Sequence, residues 1–93
     1  MRRIERTGQF RRDWKRESKG RYRDVLAGEF VTILTALAND RPLDPRHRDH
    51  ALAGEWKDHR DCHVRPDLVL IYRLPNPATL QLVRLGSHAE LGW

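Results

Sequence analysis

The chain has 93 residues, 39% of them hydrophobic and 33% charged, and a formal net charge of +5. That length suits one domain, 1–93, with one small core, and the periodic segments and three tryptophans argue against disorder. No apolar run approaches the ~20 residues that cross a bilayer. The basic N-terminus is not followed by the apolar stretch of a signal peptide, and a single cysteine excludes an internal disulfide, so the expected compartment is the reducing cytoplasm.

Charge is unevenly placed. Residues 1–25 carry ten Arg and Lys against four Asp and Glu, a net of +6, whereas residues 26–93 carry eight against nine, a net of −1. A basic run is ordinarily a solvated helical face. This excess is concentrated enough to favour a polyanionic partner: nucleic acid, an anionic membrane or an acidic protein.

In chain order, Arg2–Thr7 reads as a short strand, with Thr7 placed to cap the next segment. Across Gly8–Ser18, Phe10 and Trp14 stand four apart on one helical face, and Arg11, Arg12, Lys15 and Arg16 surround them. Gly20 breaks this basic amphipathic helix. Tyr22, Leu26, Phe30, Ile33, Leu34 and Leu37 then repeat at helical spacing, so Tyr22–Ala38 is expected as one helix that Gly28 weakens without stopping. Residues 39–51 form a polar loop containing Pro42 and Pro45. Leu52–Trp56 and Arg60–Val64 read as strands, Arg65-Pro66-Asp67 as a tight turn, and Leu68–Arg73 as a buried strand. A second turn at Pro75-Asn76-Pro77 leads to Thr79–Leu85, whose alternation sets Leu80, Leu82 and Arg84 against Gln81, Val83 and Leu85. His88–Trp93 is a short tail. The fold class is α+β: an N-terminal strand, then a two-helix hairpin that must cover one face of a mainly antiparallel twisted sheet of four to five strands. The other face is open enough to carry a site.

The residues suited to chemistry concentrate between Asp49 and Tyr72. Asp61 and His63 are two apart in a strand and project to one face. Asp67 follows at the turn, His50 enters from the preceding loop, and His88 from the end of the last strand, so these five can meet in one cleft. Imidazoles move protons near neutral pH, and carboxylates fix their tautomers. Cys62 faces the other way and is a small core residue rather than a reactive thiol. His59, Asp61, His63 and His88 contain metal-ligand types, but no HExxH or CxxC pair is present, and no metal or cofactor is expected.

Such a set suits RNA cleavage, in which the 2′-OH attacks the adjacent phosphate. The protein must deprotonate that hydroxyl, protonate the leaving 5′-oxygen and stabilise the charged phosphate. Arg60, Arg65 and Arg84 are candidates for the phosphate, and Arg11, Arg12, Lys15 and Arg16 for the RNA backbone. Trp93 is the better candidate for base stacking, because Trp56 and Tyr72 read as core.

The same residues carry a resemblance. Asp49-His50 with Leu52-x-Gly54-x-Trp56, then Arg60-Asp61-Cys62-His63-Val64-x-Pro66-Asp67-Leu68-x-Leu70-Ile71-Tyr72-Arg73, and Leu82-Val83-Arg84-Leu85-Gly86-Ser87-His88-x-Glu90-Leu91 resemble the YafQ-type toxins of the RelE/ParE superfamily, the mRNA interferases of bacterial type II toxin–antitoxin systems. The resemblance covers nearly the whole chain. It implies a RelE-like fold and a metal-independent, ribosome-dependent endoribonuclease that cuts mRNA in the A site and inhibits translation, leaving a 2′,3′-cyclic phosphate or 3′-phosphate and a 5′-OH. It further implies that His50 and His63 are the leading acid–base pair. His88 would contact or protonate near the scissile phosphate, and Asp61 and Asp67 would orient or act as base. The implied partners are the ribosome, mRNA and a small ribbon-helix-helix antitoxin dimer in a 2:2 complex, with no membrane. One departure stands out: Gly92 occupies a position where the family usually has an aromatic residue, so base stacking has either moved to Trp93 or weakened. Two alternatives remain on the same scaffold: a non-enzymatic gyrase inhibitor of the ParE type, against which the Asp61, His63 and His88 set argues, and a catalytically degenerate antitoxin-binding homologue.

Overall fold

The structure is a computed structural model that describes residues 1–92. Five strands, β1 (Arg3–Arg6), β2 (His50–Ala51), β3 (Arg60–Arg65), β4 (Leu68–Asn76) and β5 (Thr79–Gly86), form one sheet in the order β1-β5-β4-β3-β2. Strand β1 runs parallel to β5, and the other three pairings are antiparallel. Four helices accompany the sheet: α1 (Gly8–Glu17), α2 (Arg23–Ala27), α3 (Glu29–Ala38) and α4 (His88–Leu91). Among the described residues no helix is long and apolar enough to cross a membrane.

The helical hairpin covers one face of the sheet, as its apolar stripes require. Phe10 from α1, Leu26 from α2 and Phe30, Ile33 and Leu37 from α3 pack on Cys62, Val64, Leu68, Leu70, Tyr72, Leu80, Leu82 and Leu85. Trp14 joins the two arms, its ring centroid 6.1 Å from Phe10 and 5.3 Å from Phe30. Each fully buried aliphatic or phenyl side chain contributes about 1.5–3 kcal/mol, so this layer dominates the packing energy. The opposite face carries a smaller cluster of Val69, Ile71 and Leu91, partly shielded by Leu52, Trp56 and Val83.

Thr7 caps α1 as expected, its hydroxyl oxygen accepting from the Phe10 amide at 3.0 Å. Five details differ from the sequence reading, the first being that β4 runs on through Pro75 and Asn76, so the expected turn lies at Pro77-Ala78. The Tyr22–Ala38 segment is two helices, because Gly28 leaves the helical region at φ −121°, ψ −88° and starts α3 as its N-cap. Residues 52–56 contain a 3₁₀ turn at Gly54–Trp56, and the strand lies earlier, at His50–Ala51. Val83 is the extra residue of a β-bulge, since Ile71 pairs with Arg84 while Tyr72 pairs with Leu82. The bulge shifts the alternation after Val83, so Leu85 joins Leu80 and Leu82 in the helix-covered core while Val83 stays on the other face. The tail is a helix. Ser87 and Glu90 form a capping box, with the Glu90 amide donating to Ser87 Oγ at 3.1 Å and the Ser87 amide to Glu90 Oε1 at 2.8 Å.

Helix α1 is pinned to β5 by a carboxylate with no solvent exposure. Asp13 accepts from Arg84 Nε at 2.8 Å, the Leu85 amide at 3.0 Å and Arg16 Nη1 at 3.2 Å. Burial alone pushes the Asp13 pKa up. The hydrogen bonds from Arg84 and Leu85 and the charges of Arg84 and Arg16 more than reverse this, and it ends below its ordinary 3.8. Asp13 therefore stabilises the folded state above its unfolded pKa, and that contribution is lost as pH falls through the lower folded value. Asp13→Ala is expected to destabilise the chain by about 2–4 kcal/mol at pH 7, by leaving Arg84 and the Leu85 amide unpaired. Urea unfolding measured from pH 7 down to pH 3 checks this; the gap between wild type and variant should narrow at the acid end.

Candidate active site

Alternation in β3 divides its residues between two environments. Cys62 and Val64 enter the helix-covered core, where burial pushes the Cys62 thiol far up and leaves it inert. Asp61 and His63 project to the opposite face. Strand β2 has only two residues, but its register sets His50 directly across from Asp61. His50 Nδ1 then lies 3.1 Å from Asp61 Oδ1 and 2.6 Å from the Arg48 carbonyl oxygen. A carbonyl only accepts, so Nδ1 carries the hydrogen and donates to Arg48 on a half-exposed ring. The contact with Asp61 is electrostatic.

Asp61 is fully buried, and among the described residues neither of its oxygens finds a hydrogen bond. Burial raises its pKa, against the pull of His50, His63 and His88. An unsatisfied carboxylate beneath three imidazoles is costly for folding and is a frequent mark of a functional site. His63 is partly buried, and that burial lowers its pKa below the ordinary 6.5, opposed by Asp61 and reinforced by His88, Arg48 and His50. Its ring meets His88 edge-on, with centroids 5.3 Å apart and planes at 70°.

Helix α4 and the β3–β4 turn complete the set. The backbone amide and Nδ1 of His88 approach Asp67 Oδ1 at 3.1 and 2.9 Å. The hydrogen bonds from the His88 ring and amide hold the Asp67 carboxyl below the usual range. His50, Asp61, His63, His88 and Asp67 thus form a continuous series along one sheet face. An open cleft of about 510 Å³ lies against it, lined by Arg46, Arg48, His63, Pro66 and His88.

The arginines are distributed differently from the sequence reading. Arg84 is spent on Asp13. Arg60 donates to Tyr72 Oη at 3.2 Å and to Asp49 at 3.4 Å, and the Tyr72 hydroxyl also donates to Asp49. That cluster fixes the residue preceding His50. Arg65 pairs with Glu29 at 3.1 Å. The cations that line the cleft are instead Arg46 and Arg48, which lie within and just after a capped 3₁₀ turn at Pro45–His47. Arg48 adopts the left-handed conformation at φ 48°, and its carbonyl is the one that holds His50. The dense Arg46-His47-Arg48 run just before His50 is the sequence signal for these two arginines. On α1, Arg11, Arg12 and Lys15 are exposed, at the β1–β5 side of the sheet and far in strand order from His50. Arg16 instead bridges Asp13, Glu17 and Glu90 and donates to the Leu85 carbonyl.

Trp56 is half-buried over the second cluster and meets His59 edge-on, and Tyr72 is core. Gly92 is the C-cap of α4 at φ 78°, a left-handed position that glycine takes without strain. Trp93 lies outside the described residues. Among the described residues no group of three or more His, Cys, Asp and Glu side chains is arranged to hold a metal ion.

Comparison with known proteins places this arrangement. The family described as the bacterial toxin of a type II toxin–antitoxin system, YafQ, matches residues 2–92. The mRNA interferase toxin YafQ of Escherichia coli strain K12 is 41% identical over 88 residues, covering 95% of this chain and 92% of that protein. A copper-bound mutant toxin from Helicobacter pylori superposes with a TM-score of 0.89 at 35% identity, over 98% of this chain and 99% of that one. YafQ in the Escherichia coli DinJ–YafQ complex superposes with a TM-score of 0.81 at 39% identity, over 98% of each chain. A sheet, a helical hairpin and a histidine–aspartate series all fall within the matched residues, and the chain belongs to the YafQ family of type II toxin–antitoxin toxins.

Proposed function

We propose that this toxin is a ribosome-dependent endoribonuclease that cuts mRNA in the A site by 2′-OH attack, with His50, Asp61, His63, Asp67 and His88 as its acid–base machinery. The observation that carries this reading is the series of three imidazoles and two carboxylates beside a cleft lined by Arg46 and Arg48. The mRNA interferase name of the Escherichia coli relative agrees with it.

His63, held neutral at pH 7 by burial, suits removal of the 2′-OH proton. His50 and His88 each sit beside a carboxylate that balances the protonated ring, so they suit the leaving 5′-oxygen and the charge on the phosphate. Arg48, which lines the cleft between His63 and His88, supplies positive charge where the pentacoordinate phosphate forms. The products are a 2′,3′-cyclic phosphate and a 5′-OH. The Escherichia coli relative is seen in complex with DinJ, and by the same reasoning this chain has an antitoxin of its own, a ribbon-helix-helix dimer in a 2:2 complex, in the cytoplasm.

Primer extension on ribosome-bound reporter mRNA tests the reading. His50→Ala and His88→Ala should each lower the single-turnover rate by about 10²–10⁴-fold while circular dichroism shows a folded chain. Full cleavage by both variants would overturn the assignment, and intact mRNA with accumulated DNA cleavage complexes would point to gyrase instead. Asp61→Asn separates stability from activity. It removes a buried unsatisfied charge, so it should abolish cleavage yet stabilise the chain by about 1 kcal/mol at pH 7. Because the folded Asp61 pKa is raised, the cost of its charge appears only as pH rises through the unfolded value, so this advantage should vanish toward pH 3. NMR titration should also show the His63 ring titrating still lower in that variant, since Asp61 holds it up. Finally, reversing Arg11 and Lys15 to Glu should weaken ribosome binding and flatten its salt dependence, because each lost phosphate contact reduces counterion release. Sedimentation with ribosomes across a salt series reads this; an unchanged slope returns α1 to a solvated face.

A further inference from the structure

We propose that Arg46 and Arg65, converging on Glu29 beside His63, form a second anion subsite that takes an RNA phosphate neighbouring the scissile one; the proposal rests on the ribonuclease reading above. A cleft of about 160 Å³ lies there, lined by Glu29, Arg46, His47, His63 and Arg65. It shares Arg46, His63 and Pro66 with the larger cleft at His88, so the two form one groove that passes His63. RNA carries phosphates at a regular repeat, and a groove that holds one at the reacting centre presents the next to whatever lines its continuation.

The charges fit an anion. Arg46 Nη2 lies 3.4 Å from Glu29 Oε1 and Arg65 Nη2 lies 3.1 Å from Glu29 Oε2, so two guanidinium groups share one carboxylate and leave a net positive site. The arginine side chains are 69% and 49% exposed while Glu29 is 21% exposed, so the cations can move and the anion stays. Exposed pairs of this kind are weak, whereas a phosphate accepts forked hydrogen bonds from guanidinium groups. Glu29 loses little when they leave, because it stands in the first turn of α3, where the helix dipole favours a carboxylate. Until RNA arrives it holds both arginines over the groove. The floor is tied to the catalytic strand, since buried His47 donates its Nδ1–H to the His63 carbonyl at 2.7 Å. A phosphate held by Arg46 and Arg65 is therefore in fixed register with His63.

The test uses direct binding to a single-stranded RNA that carries a 2′-deoxynucleotide at the cleavage position, so that it cannot be cut. Fluorescence anisotropy is read across a salt series. Arg46→Gln/Arg65→Gln is expected to weaken binding roughly tenfold at low salt and to reduce the slope of log K against log salt by about 0.7, the value for one neutralised single-strand phosphate. Should the double variant fold poorly, Arg46→Gln alone, at an exposed side chain, serves instead and should lower both the affinity and the slope by a smaller amount in the same direction. A neutral methylphosphonate placed at each phosphate flanking the cleavage position should weaken wild-type binding at one position and have no further effect on the double variant. An unchanged slope, additive losses at every methylphosphonate position, or no binding of this RNA by the wild type at low salt would overturn the proposal. Failure of the wild type to cut the all-ribose form of the same RNA on the ribosome would instead sink the ribonuclease reading and leave the binding result standing.

Discussion

Strand β3 has two faces in different media, and that constraint organises the molecule. Its helix-side residues, Cys62 and Val64, are sealed in the main core. Its opposite-side residues, Asp61 and His63, share a face with the smaller cluster around Val69 and Ile71 of the neighbouring strand. A single slip in register would exchange these sets, placing a carboxylate and an imidazole in the helix-covered layer and a thiol in the site. The long apolar run of β4 and the tight turn at Pro66-Asp67 hold the register against that slip. The same turn delivers Asp67 to His88.

The site is held from outside the sheet face. His50 stands in place because a two-residue strand pairs with β3 and because Asp49, just before it, is held by Tyr72 and Arg60. His88 stands in place because a capping box starts α4 at the end of β5 and because Asp67 accepts both its amide and its ring. The two histidines are thus supported from different elements, His50 from β3 and Asp49 and His88 from α4 and Asp67. The cost is concentrated at Asp61, a carboxylate that burial penalises and no hydrogen bond relieves among the described residues. Asp13 offers the contrast: it is equally buried, but three donors satisfy it, and it serves to lock α1 onto β5. One buried carboxylate strengthens the fold, and the other is tolerated by it.

Much of the site is legible from residue types and spacing. Asp61 and His63 share a face because strands alternate, and His50, Asp67 and His88 lie at ends and turns that a meander brings to one region. The arginines are not legible in the same way. Arg84 reads as available because strand alternation says nothing of Asp13, 71 residues away in sequence. Arg65 reads as unpaired because nothing local predicts Glu29. Arg46 and Arg48 escape a pattern-based reading because a polar loop with two prolines shows no periodicity, although its density of positive charge stands next to His50.

By itself the sequence determined the type of most elements, the helix-covered core, the N-cap at Thr7 and the group of titratable residues, because each follows from local pattern or from the chemistry of a side chain. The helix after Ser87 rests on a local capping box, and the break before α3 on the backbone of Gly28, whereas tertiary structure decided the bulge at Val83 and the partners of Arg60, Arg65 and Arg84. The physical reason is the same throughout. Periodicity reports which side of an element is apolar, whereas a bulge or an ion pair depends on what the neighbouring element offers at that distance, and only the folded chain brings those neighbours together.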